Sequence, residues 1–299
     1  MVRCRRQYIA AFNGSARPLP GVHHFLLGRT GRQLSIVGHT MGDRLEGKPN
    51  MGHWRIASSI AGSLGLVLLC ASRVSAQTVD GGYRTFQPEG PGPHPAAIIV
   101  PGCSGSSWSD EYVRLAEELR LQGYVVVFAD YLGRRSLKVC DGGAVTQSEA
   151  GKDIVAAANW LSSRPSVDPT RIAVFAWSYG GGAVLTALAE HSQEQLVFSS
   201  AILYYPECRT ARPWKVRIRV LMMFGSEDVV APAKPCQQVT TASGMNDSVR
   251  IVMYPDAYHG FDNSKLPAKT TYRFGTIGFN PEAARASREE IGKFLASTK

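Results

Sequence analysis

Six apolar runs set the strongest constraint on this fold: "AAIIV" (96–100), "YVVVFA" (124–129), "RIAVFA" (171–176), "SAILYY" (200–205), "RVLMMF" (219–224) and "VRIVMY" (249–254). Each is short, rich in β-branched or aromatic residues, and largely without period-two alternation, the pattern of strands buried on both faces of a parallel sheet. Helical spacing fills the intervals. Tyr112, Leu115, Ala116 and Leu119 follow i, i+3, i+4, i+7, with Ser109 and Asp110 as cap candidates, and Ile154, Ala157, Ala158 and Leu161 repeat that spacing. The Ala- and Leu-rich stretch from Gly180 to Ala189, residues 233–243, and a segment opened by Pro281 and running to about Ser297 are further helices. Parallel neighbours need crossovers, so strands alternating with helices give an α/β fold with a doubly wound, mostly parallel sheet. No repeat or second domain is visible. Residues 133–147 and 262–280 are the long loops, of a length that often lines active sites.

The 299 residues carry a formal charge of +9, which would invite a nucleic-acid or membrane-surface reading. The charge is unevenly distributed. Residues 1–76 hold 10 Lys+Arg against 2 Asp+Glu, leaving 23 against 22 in 77–299. The basic character therefore belongs to the leader, and no nucleic-acid partner is expected. From Met51 the order is a basic start at Arg55, an uncharged stretch from Ile56 to Ser72, and Val74-Ser75-Ala76, as in a secretory signal peptide cleaved after Ala76. The apolar stretch is shorter than the ~20 residues of a spanning helix, so no stable membrane insertion is expected after cleavage. Residues 1–50 show no periodicity; translation is expected to start at Met51 or Met41, with the first 50 residues no part of the working protein. The expected organisation is thus 1–50 absent from the mature protein, 51–76 a signal peptide, and 77–299 the working domain, periplasmic or secreted.

Export gives the cysteines a meaning. Cys103, Cys140, Cys208 and Cys236 lie beyond the leader, an even number that suggests two disulfides with three possible connectivities. None is in a C-x-x-C pair, so no metal site is expected.

"RIAVFAWSYGGGAV" (171–184) holds a lone serine between two aromatics, followed by three glycines. Ser178 ends a buried strand just before a helix, and ligands of open α/β sheets bind at that edge. "A-W-S-Y-G" approximates the Gly-x-Ser-x-Gly nucleophile elbow, with Ala176 at the first small position. A serine needs a base. Of the three histidines beyond the leader, His94 precedes a strand and His191 ends a helix, whereas His259 in "YPDAYHGFD" follows a strand at the same edge. The base needs a carboxylate to fix its tautomer, and Asp228 in "FGSEDVVAP" follows another strand; Glu227 and Asp256 are its rivals. The order Ser, Asp, His is that of the α/β-hydrolases. The N–H of Tyr179, next after the serine, and that of Cys103 in "VPGCSGSSW" are the oxyanion-hole candidates.

Across roughly residues 80–298 the chain resembles the dienelactone hydrolase family of α/β-hydrolases, through "PGCSG", "GYVVVFADYLGR", "RIAVFAWSYGGG", "LYYPEC", "FGSEDVVAP" and "YPDAYHGFD" in family order. The resemblance implies the pairings Cys103–Cys140 and Cys208–Cys236. Members that open dienelactone itself carry a cysteine nucleophile, a glutamate on the oxyanion loop and two arginines for the substrate carboxylate. At those positions this chain has Ser178, the glutamate-free Pro101-Gly102-Cys103, Arg134 and Asn263. Arg134, with Trp177 beside the serine, is a candidate substrate contact. The expectation is a cofactor-free serine hydrolase acting on a small-molecule carboxylic ester or lactone. A peptidase or acyltransferase on the same residues is the alternative, as is a non-catalytic ligand-binding protein of this fold.

Overall fold

The structure, a computed structural model, describes residues 78–105, 109–140 and 143–296. The expected leader, residues 1–50 and 51–76, lies outside them. Eight strands form one sheet: β1 (Thr78–Asp80), β2 (Tyr83–Phe86), β3 (His94–Val100), β4 (Val125–Phe128), β5 (Val167–Trp177), β6 (Ser200–Tyr204), β7 (Arg219–Gly225) and β8 (Val249–Tyr254). Their order is β1-β2-β4-β3-β5-β6-β7-β8. The β1–β2 and β2–β4 pairs are antiparallel and all others parallel. Each of the six apolar runs is a strand. Those of β3, β5, β6 and β7 are buried in the sheet interior, where every Val, Ile, Leu or Phe removed from water contributes roughly 1.5–3 kcal/mol. "VRIVMY" departs from the both-faces reading. It forms β8, the edge strand, with Met253 44% exposed.

Helices α1 (Ser109–Leu121), α2 (Gln147–Ser162), α3 (Tyr179–Glu190), α4 (Ala233–Ser243) and α5 (Pro281–Ala296) fill the expected intervals. A capping box fixes the start of α2: the Thr146 hydroxyl accepts from the Glu149 N–H, and the Glu149 carboxylate accepts from the Thr146 N–H. The second long loop is not structureless; it contains a hairpin of β9 (Thr270–Tyr272) and β10 (Gly275–Ile277).

The topology places the site. From β3 the chain crosses by α1 to β4 on one side, and from β5 it crosses by α3 to β6 on the other. This reversal opens a crevice between the carboxyl ends of β3 and β5. Register brings those ends level, with Val100 opposite Ala176, Trp177 opposite Tyr204, and Gly225 opposite Tyr254. Among the described residues no helix is long and apolar enough to cross a membrane.

Candidate active site

Ser178 sits at the turn from β5 into α3 with φ 49° and ψ −114°. L-residues rarely adopt such a backbone, at a cost of order 1–3 kcal/mol, so neighbouring structure must hold it. It does so from both sides of the peptide. The Ser178 N–H donates to the Tyr204 carbonyl at 2.9 Å, and its own carbonyl accepts from the N–H groups of Gly182 (3.1 Å) and Glu207 (3.0 Å). The glycines follow from close approach. A Cβ on Gly180 would collide with the Pro101 carbonyl and Val100, and one on Gly182 with Gln147 and the Glu207 carbonyl. Ala176 is wholly buried in register with Val100 and Leu203, so a methyl group is accommodated there.

His259 lies on the loop after β8, 7% exposed, its backbone bridged to β10 through the Gly278 N–H. Its Nε2 is 3.0 Å from Ser178 Oγ and its Nδ1 is 2.8 Å from Asp228 Oδ2. Asp228, 5% exposed, follows β7, and its other oxygen, Oδ1, accepts from the Val230 and Ala231 N–H groups, each at 2.9 Å. Its own turn thus fixes the carboxylate with one oxygen aimed at the imidazole. The rivals are elsewhere: Glu227 accepts from the Ser226 hydroxyl, and the exposed Asp256 donates its N–H to that same hydroxyl.

The loop after β3 faces the serine. A Cβ built on Gly102 would stand 3.5 Å from Ser178 Cβ. Two buried phenols brace this loop: Tyr112 accepts from the Gly102 N–H at 3.1 Å, and Tyr131 donates to the Gly102 carbonyl at 3.2 Å. Burial pushes both phenols above their ordinary range, so they stay protonated. Next along the loop, Cys103 lies at disulfide distance from Cys140 (Cα–Cα 4.8 Å), and Cys208 from Cys236 (5.1 Å). Tyr179 opens α3, where a helix N–H has no carbonyl one turn back and is free for a ligand.

Not every expected residue joins this group. Trp177 is packed inside, parallel to Tyr204 with ring centroids 5.0 Å apart, and its indole N–H donates to Asp262 at 2.7 Å. With 4% of its surface exposed it offers a substrate almost no contact area, which corrects the expectation from sequence. Arg134 lies over the Tyr83 ring (4.5 Å) and lines a cavity of about 380 Å³ with Pro101, Gly105, Tyr112 and Asp130; Ser178 is not among the lining residues. Asn263 accepts the Lys265 N–H and caps a turn. Sequence reasoning missed Tyr112, Tyr131, Tyr205 and Asp262. Only a tyrosine directly following a strand, as in "LYYPEC", could have drawn notice to Tyr205.

The model described as "Dienelactone hydrolase family" matches residues 82–298. Among solved structures, the chain is similar to a "Putative Dienelactone Hydrolase" from Klebsiella pneumoniae subsp. pneumoniae MGH 78578, at 18% identity and TM-score 0.58, covering 72% of this chain and 92% of that one. It is also similar to the propionate-bound thermophilic esterase Est2 of Thermogutta terrifontis, at 16% identity and TM-score 0.54, covering 74% and 92%. At these identities the likeness is one of fold. A local similarity, 30% over 117 residues, links it to a "Probable dipeptidyl-aminopeptidase B" of Ajellomyces capsulatus. That match takes in 36% of this chain and 12% of the relative's length.

Proposed function

The chain belongs to the dienelactone hydrolase family of α/β-hydrolases, and from that premise we propose that it cleaves a carboxylic ester or lactone through an acyl-enzyme on Ser178. The observation that carries this reading is the unbroken hydrogen-bonded chain from Ser178 Oγ through His259 to Asp228. In the proposed cycle Ser178 Oγ attacks the carbonyl carbon while His259 Nε2 takes its proton. Asp228 accepts a hydrogen bond from the Nδ1–H and steadies the imidazolium. The N–H groups of Tyr179 and Cys103 meet the oxyanion, and His259 returns the proton to the leaving alcohol. Water activated by His259 then frees the acid.

Substrate chemistry is narrowed by the family positions. With Ser178 as nucleophile, no glutamate on the oxyanion loop and Asn263 in place of a second arginine, dienelactone itself is not the proposed substrate. Arg134 is the cation available to an anionic substituent. Ser178→Ala should abolish turnover of a p-nitrophenyl ester, and of fluorophosphonate labelling, while circular dichroism stays that of the wild type; undiminished turnover would discard the reading. The local likeness to a dipeptidyl-aminopeptidase supports a second reading, a peptidase on the same three residues. A panel of short-chain, aryl and lactone esters run beside a dipeptidyl amide separates the two, because the acceptor is chosen by pocket shape.

We place the working protein in an oxidising compartment, a placement the two cysteine pairs at disulfide distance support, and propose a mature chain beginning at Gln77 from the signal-peptide pattern. Intact mass of the exported protein should give a start at Gln77 with no thiol open to alkylation before reduction. A longer chain or four reactive thiols would overturn it.

A further inference from the structure

Asp262 stands three residues after His259 and belongs to no part of the triad. Part of the residue reaches the surface, but its carboxylate turns inward. One oxygen accepts from the Tyr205 phenol at 2.5 Å and the other from the Trp177 indole N–H at 2.7 Å. Trp177 is the residue before Ser178. Tyr205 is fully buried at the end of β6 with φ 38°, and its ring centroid is 4.3 Å from that of His259, tilted by 53°. A single carboxylate therefore reaches the strand end that carries the nucleophile and, through one phenol, the ring of the base.

The charge on this carboxylate is the relevant quantity. Burial raises the Asp262 pKa, and the hydrogen bonds from Tyr205 and Trp177 draw it back. The groups facing it are Tyr204 from β6 and Tyr205 just after it, Trp177 from β5, and Tyr112 and Glu111 from α1. Glu111 is itself met by Ser264 and Arg114. A phenol that donates its proton to a carboxylate gains electron density on the ring, and an electron-rich ring attracts a cation more strongly. His259 becomes a cation when it takes the Ser178 proton in the proposed reaction.

We infer that Asp262 is a positioning residue of the site: through Tyr205 it stabilises the protonated form of His259, and through Trp177 it holds the strand end bearing Ser178. The inference rests on the hydrolase reading of those two residues. The test is Asp262→Asn and Tyr205→Phe in the full chain, with kcat and KM for a p-nitrophenyl ester measured across the acid limb. The expected result is an acid limb of kcat/KM shifted downward by about half a pH unit, because the imidazolium has lost support. Alongside it, kcat should fall about threefold with KM unchanged. Tyr205→Phe keeps the ring and guards against a variant that fails to fold. The double variant should shift no further than the larger single shift, since both act along one route. An acid limb that stays in place in both variants, whatever the loss of rate, overturns the inference. If the wild type turns over no ester, the hydrolase reading fails separately, and an NMR titration of the His259 ring in the same proteins decides this one by the same shift.

Discussion

Asp228 and Asp262 both stand on loops at the carboxyl edge of the sheet, and both act on His259, yet they are held in opposite ways. The backbone of its own turn satisfies one oxygen of Asp228, through Val230 and Ala231, which leaves the other oxygen to face Nδ1. Asp262 has each oxygen taken by a side chain at a different strand end, Tyr205 just after β6 and Trp177 at the end of β5. A carboxylate fixed locally can be aimed. One shared between the ends of two neighbouring strands becomes a tie, and it reaches His259 through Tyr205. The difference teaches that a buried acid is assigned by who donates to it.

The largest expected effect tests the aimed carboxylate. Asp228→Asn keeps an oxygen for the two backbone N–H groups but presents an amide to the imidazole. The amide N–H favours a proton on Nε2, the tautomer that cannot accept from Ser178. Steady-state kcat/KM should fall on the order of 10⁴-fold with the fold retained, as loss of tautomer control in a Ser-His-Asp site does. A loss no larger than that of Asp262→Asn would erase the distinction between the two acids and return Glu227 and Asp256 to consideration.

The two acids also differ in how far the sequence reveals them. Asp228, Ser178 and His259 each follow an apolar run that becomes a strand, and parallel strands bring their carboxyl ends to one edge, so run order was enough to group them. Helix α4 spans Ala233–Ser243, the bounds expected for a short helix there. Asp262 has donors 57 and 85 residues away, a juxtaposition that no local pattern encodes. Trp177, the last residue of β5, stacks on Tyr204 and bonds Asp262, whereas Ser178 stands in the turn beyond the strand, so adjacency to the serine does not carry its side chain to the crevice. Strands β1, β2, β9 and β10 escaped notice for another reason. They are three or four residues long, "YRTF" in β2 and "TTY" and "GTI" in the hairpin, and their strand character comes from pairing.

The smallest expected effect is on stability. Burial raises the Asp262 pKa in the folded chain above that of the unfolded chain, so the native state holds this proton to higher pH. Its contribution to stability is therefore full below the ordinary carboxylate range and is lost as pH rises through the raised folded value. Asparagine does not ionise and carries no such dependence. The thermal midpoint of Asp262→Asn minus that of the wild type should accordingly rise between about pH 4 and about pH 7, the ordinary range from a carboxylate to neutrality. Turnover at neutral pH falls in the same variant, so activity and stability part company at this residue. That is the signature of a buried charge kept for what it does to its neighbours. A midpoint difference that is flat with pH would mean the carboxylate bears no burial cost, and Asp262 would then be a brace between strands whose charge is incidental.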